Sequence, residues 1–115
     1  MYLAPFPGAT VRLLLLALLL LLANIASANP NHIFIAGDST AAEYGSDREP
    51  QAGWGQMLQG WFDPAQWQVH NHAKGGRSTR SFIAEGRLDA IAKDIRAGDV
   101  LLIQFGHNDA KREDA

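Results

Sequence analysis

Three short apolar runs, each ending in a polar turn that contains glycine, constrain this chain more than any other feature. His32 to Ala36 (HIFIA) runs into Gly37-Asp38-Ser39-Thr40. Trp67 to Asn71 (WQVHN) runs into His72 to Ser81 (HAKGGRSTRS), and Val100 to Phe105 (VLLIQF) into Gly106-His107-Asn108-Asp109. The first and third are nearly continuous rather than alternating, which suits strands covered on both faces, as in a parallel sheet. Trp54, Met57, Leu58 and Trp61 fall at i, i+3, i+4 and i+7, as do Leu88, Ile91, Ala92 and Ile95, so each set predicts a helix. The aromatic residues of the first helix read as core. The second helix has Arg96 for its last turn and Gly98 for its C-cap. Strand, helix, strand, helix, strand is the rhythm of an α/β fold with a three-layer, doubly wound parallel sheet.

Ahead of this pattern lie Arg12, an unbroken apolar run of 11 residues from Leu13 to Ala23, and the small-x-small triplet Ala26-Ser27-Ala28. That order is a secretory signal peptide. The run is shorter than the roughly 18 apolar residues that span a bilayer, so no stable membrane anchor is expected. The expected division is a leader at 1–28 and a mature portion at 29–115 that is secreted or periplasmic. Arg12 leaves with the leader, so nine of the ten Lys and Arg remain against 12 Asp and Glu, a net charge of −3. No basic stripe exists to hold a phosphate backbone, which excludes nucleic acid as a partner. The chain has no cysteine, which excludes disulfides, thiolate metal sites and a cysteine nucleophile. Without such staples, a mature portion this short is near the low end for an independent core. It reads as the N-terminal portion of something longer.

Ligands of open parallel sheets bind outside the carboxyl ends of the strands, where all three glycine-bearing turns fall. Their residue types fit acyl transfer. Ser39 is a candidate nucleophile whose own N–H, at a strand-to-helix turn, points where an oxyanion forms. A glycine at 75 or 76 lets backbone approach a substrate carbonyl with no side chain in the way. Asn108 offers an uncharged amide N–H. Three aimed donors around a serine make an oxyanion hole.

The three blocks resemble those of the SGNH (GDSL-like) hydrolase superfamily, and within it the rhamnogalacturonan acetylesterase branch. The first block is Gly37-Asp38-Ser39-Thr40, with Thr where lipase-like members carry Leu. The second is Gly76-Arg77-Ser78-Thr79-Arg80-Ser81-Phe82, and the third Gly106-His107-Asn108-Asp109. Gly53 to Leu58 (GWGQML) and Glu85 to Ile91 (EGRLDAI) are also similar to that branch. The resemblance implies a flavodoxin-like SGNH-hydrolase fold, present here in part, and a serine esterase that removes acetyl groups from a pectin-like polysaccharide. It implies Ser39 as nucleophile and oxyanion donor, with Gly76 and Asn108 as further donors, and no metal or cofactor. The Asp-x-x-His block that carries the family's base and its orienting acid does not occur between Asn29 and Ala115, so the chain alone is expected to be inactive.

Several readings of single residues stand beside these. His107 occupies the variable position of the third block, where a side chain meets substrate. Arg77 and Arg80 suit either an acidic sugar or local carboxylates. Asp38 is expected to bond within the turn, Asp109 to cap a helix, and His32 to be structural. His70 and His72 could face one way like a metal pair, but no third ligand of clear spacing accompanies them. For the whole chain, another esterase, lipase or thioesterase, a phosphate-cradling module built on Lys74 to Ser81, and an inactive truncated product remain open. Nothing in the sequence fixes an oligomeric state.

Overall fold

A computed structural model describes residues 7–25 and 29–111. Its first helix, α1 (Pro7–Ile25), carries the leucine run, with Leu13, Leu14, Leu16 and Leu19 all exposed. The expected cleavage triplet at 26–28 lies outside the described residues. Among the described residues no helix is long and apolar enough to cross a membrane.

The remaining elements build a three-stranded parallel sheet in the order β2–β1–β3, with β1 at Asn31–Gly37, β2 at Trp67–Asn71 and β3 at Val100–Gln104. Phe34 stands level with His70 on one side and Leu101 on the other. The continuous apolar run of β1 has the cause expected of it. This strand is central, and Ile33, Phe34, Ile35 and Ala36 are all buried.

Side chains alternate along a strand, so Phe34 and Ala36 share one face and Ile33 and Ile35 the other. The Phe34 face is covered by α3 (Thr79–Ala84) and α4 (Arg87–Asp94). Phe34, Ala36, Phe82 and Ile91 form its core, flanked by Leu88, Ile95, Leu101 and Phe105. Side chains such as Phe82 and Ile91 each contribute about 1.5–3 kcal/mol on burial. The opposite face carries α2 (Trp54–Met57) and a 3₁₀ turn, Leu58–Trp61. Helices on both faces make the expected three layers. The strand order reverses beside β1, which puts the mouth of the crevice at the carboxyl ends of β1 and β3.

Three expectations need correction, and one further element was not expected. The aromatic residues of the first predicted helix are not core: Trp54 is 37% and Trp61 83% exposed, and Met57 between them is 60% exposed. The helix is α for one turn only. Over its last four residues each step turns about 120° rather than 100°, which rotates Trp61 by roughly 80° away from the row that Trp54 begins. Second, among the described residues β3 forms one edge of the sheet, and Ile103 is 64% exposed there. Third, α4 ends at Ile95 in extended conformation rather than at Gly98, which sits in the following turn at φ +97°. Arg96 lies beyond the helix, and its Nη1 donates to the carbonyls of Lys93 and Ile95. Finally, α3 has no counterpart in the apolar spacing. It begins instead at a capping box, in which Ser78 Oγ accepts from Ser81 N and Ser81 Oγ accepts from Ser78 N.

Candidate active site

Ser39 sits just beyond β1 in a turn fixed from several directions. Asp38 is buried, and its Oδ1 accepts from Thr40 N at 3.0 Å and Thr40 Oγ1 at 2.9 Å. The carboxylate therefore bonds within the turn rather than facing a base. The Asp38 carbonyl accepts from Ala41 N and Ala42 N. In a trans peptide the C=O and the following N–H point in opposite directions, so the Ser39 N–H is turned away from those contacts. The Ser39 carbonyl accepts from the Tyr44 hydroxyl at 2.7 Å. Tyr44 is itself clasped by Gln56, whose Oε1 accepts from Tyr44 N and whose Nε2 donates to Tyr44 O.

The second loop extends the pairing of β2 with β1, Lys74 N donating to Gly37 O at 3.0 Å. It then passes beside Ser39: a Cβ built on Gly75 would lie 3.8 Å from Ser39 Cβ. Gly76 has φ +79°, where any side chain would be strained. Arg77 turns back on its own loop, with Nη1 donating to the Gly75 carbonyl at 2.9 Å and Nε lying 3.1 and 3.2 Å from the two Glu85 oxygens. Of the two roles open to Arg77, pairing with a local carboxylate is the one observed. Glu85 also meets Arg87 Nε at 2.5 Å. The two guanidiniums, Arg87 first and then Arg77, hold the Glu85 carboxyl below its ordinary range.

The third loop is stitched to the second. Asn108 is buried, and its Nδ2 donates to the Arg77 carbonyl at 3.1 Å. An amide nitrogen has two hydrogens, so a second donor remains on Asn108. Asp109 Oδ1 accepts from Thr79 N at 2.8 Å, capping α3 from a distant loop. That bond and a second from the Thr79 hydroxyl lower the Asp109 carboxyl below its usual range. His107 is exposed beside the buried Asn108. Ser39 Oγ makes no hydrogen bond to a histidine among the described residues.

The other three histidines lie on the α4 face. His32 Nδ1 and His70 Nε2 are 2.8 Å apart, and both rings line an open cavity of about 390 Å³ with Phe34, His72 and Asp94. His72 is held below its usual pKa, first by burial and then by His70. Among the described residues, no group of three or more side chains is arranged to hold a metal ion.

Three loops far apart in sequence thus meet through Gly75 beside Ser39, Asn108 on Arg77, and Asp109 on Thr79. Ser39, Gly76 and Asn108 stand out in the sequence, but their supports do not: Tyr44 lies outside every block, and Gln56 and Glu85 fall in family-like stretches (Gly53 to Leu58 and Glu85 to Ile91) that carry no sign of their contacts.

The chain is similar to several known proteins. Over 82 residues the chain is 55% identical to the rhamnogalacturonan acetylesterase RhgT of Bacillus subtilis (strain 168), covering 71% of this chain and 35% of that protein. It is 42% identical over 85 residues to the rhamnogalacturonan acetylesterase of Emericella nidulans, covering 74% of this chain and 31% of that one. The crystal structure of the Bacillus subtilis protein YxiM superposes with a TM-score of 0.67 at 41% identity, covering 75% of this chain and 24% of YxiM. The chain therefore spans about a third of the length of the curated relatives it matches. Residues 35–115 match the profile of the GDSL-like Lipase/Acylhydrolase family, and the chain belongs to that family.

Proposed function

We propose that residues 29–115 are the N-terminal portion of a secreted serine esterase that removes acetyl groups from rhamnogalacturonan or a similar pectic polysaccharide, and that residues 1–28 are its cleaved leader. In this reading Ser39 Oγ attacks the ester carbonyl, and its proton passes to a histidine of an Asp-x-x-His segment further along the protein. The carbonyl oxygen becomes an oxyanion that accepts from Ser39 N–H, Gly76 N–H and the remaining amide hydrogen of Asn108. Collapse of the intermediate expels the sugar hydroxyl, which takes the proton from the histidine, and leaves acetyl on Ser39. Water then attacks the acyl-enzyme to release acetate. His107, exposed on the rim of the same loop, is assigned to substrate contact.

The observation that carries this reading is the convergence of the three blocks. Asn108 bonds the loop of Gly76, and a Cβ on Gly75 of that loop would be in van der Waals contact with Ser39. The acetylesterase relatives support the substrate class. The test is acetate release from acetylated rhamnogalacturonan by the full-length gene product, its Ser39→Ala variant and the 115-residue chain. Only the first is expected to turn over above residual rates, and its mature N-terminus is expected at Asn29. Release by Ser39→Ala would remove the serine mechanism, and serine-dependent release by the 115-residue chain would remove the need for a later histidine. A full-length protein that hydrolyses simple esters but not this polysaccharide would remove the substrate.

A further inference from the structure

We propose that Arg77 is a positioning residue for the oxyanion donors. Its guanidinium holds the Gly75 carbonyl so that Gly76 N–H faces the reacting oxygen, while its own carbonyl holds the Asn108 amide. The proposal rests on the assignment of Ser39, Gly76 and Asn108 made above.

The need for such a hold follows from the loop itself. Two successive glycines have the widest backbone freedom of any dipeptide. A Cβ built on Gly76 would meet nothing within 4 Å, so packing does not confine that residue. The backbone turn across it is closed only by a long bond, Arg77 N to Lys74 O at 3.4 Å. An oxyanion donor is useful only if its direction is fixed before the charge forms. The C=O of Gly75 and the N–H of Gly76 belong to one planar trans peptide, so fixing the first fixes the second in the opposite direction. Arg77 Nη1 makes that fixing contact at 2.9 Å.

The guanidinium is in turn anchored to a helix end. Glu85, which closes α3, takes Arg77 Nε on both its oxygens and Arg87 Nε on one. Arg87 and Arg77 keep that carboxyl ionised below its ordinary range, so the anchor persists into mild acid. A planar fork bonds Glu85 and Gly75 at once, which a single ammonium cannot do with the same geometry. The Arg77 carbonyl meanwhile accepts from Asn108 Nδ2, so one residue sets the direction of two donors.

The test uses the full-length gene product and p-nitrophenyl acetate, a neutral ester with no carboxylate for an arginine to bind. Arg77→Met is expected to lower kcat about 10–10²-fold, short of the 10²–10³ for outright loss of a donor, with KM within about twofold. Arg77→Lys is expected to recover part of kcat, because an ammonium still reaches the Gly75 carbonyl. Glu85→Gln is expected to lower kcat less than Arg77→Met, because it loosens the guanidinium without touching the loop. A kcat for Arg77→Met within about threefold of wild type on this ester would overturn the proposal. So would a loss seen only as raised KM on an acidic polysaccharide, which would make Arg77 a substrate ligand. If Arg77→Met fails to fold, an unchanged kcat in Glu85→Gln overturns it equally. Turnover by Ser39→Ala would instead refute the underlying assignment, so the two failures are distinguishable.

Discussion

Replacing Asn108 separates a structural from a chemical role for the third loop, because the side chain has one donor on Arg77 and one left over. Asn108→Ala strips the Arg77 carbonyl of its partner in a site where Asn108 is only 2% exposed. An unpaired buried carbonyl costs about 1–3 kcal/mol. In a protein of 150–250 residues that corresponds to a fall in Tm of roughly 2–12 °C. If the second hydrogen serves the oxyanion, kcat falls a further, independent 10²–10³-fold (about 2.7–4 kcal/mol) with KM little changed. Asn108→Asp keeps the size but has no donor when ionised and sets a negative charge beside both the Arg77 carbonyl and the forming oxyanion. It is expected to be at least as slow as Asn108→Ala. The assay is steady-state kinetics on p-nitrophenyl acetate with the full-length gene product, alongside thermal melts. A variant that loses Tm yet keeps kcat within about threefold would show that Asn108 serves the loop and not the reaction.

Two further outcomes follow from the geometry. Gly55→Ala puts a Cβ 2.5 Å from the Ala41 carbonyl and 2.7 Å from Asn71 Nδ2, in the way of the bond between them. Overpacking of this kind costs about 1–3 kcal/mol, and a denaturation midpoint equal to wild type would refute the close approach of α2 to the sheet. The second concerns pH. His72 is depressed from its usual 6.5 by burial and by His70, so the unfolded chain binds the proton more readily. Its contribution is complete above pH 6.5 and declines as pH falls through the depressed value. Urea unfolding at pH 7.5, 6.5 and 5.5 is expected to show stability falling toward acid, and His72→Gln to flatten that slope. An identical slope in the variant would contradict this.

How much of the fold was legible depended on where each element's order comes from. β1 and β2 could be read almost residue for residue, and β1 because a central strand buries every side chain and so announces itself by continuous apolarity. β3 shares that composition, and as the outermost strand among the described residues it leaves Val100 and Ile103 open. The Trp54 helix failed because periodicity presumes one helical pitch throughout, and a change to 3₁₀ after Met57 moves Trp61 off the apolar stripe. α3 is short and owes its start to a serine pair and to Asp109, signals that apolar spacing does not carry. The site divides in the same way. Ser39, Gly76 and Asn108 stand in motifs that reading along the chain can find. Tyr44 and Glu85 act through contacts that exist only once the loops are packed, on a carbonyl and on a guanidinium.

Ser39 is proposed as the nucleophile of an esterase site completed by Gly76 and Asn108. The most direct test of this role is reaction of the full-length gene product with a serine-directed phosphonate ester, followed by peptide mass spectrometry. One adduct per chain is expected, on Ser39, formed in step with loss of esterase activity and slowed in Asn108→Ala. An active protein that carries the adduct on another residue, or that loses no activity once Ser39 is modified, would contradict it.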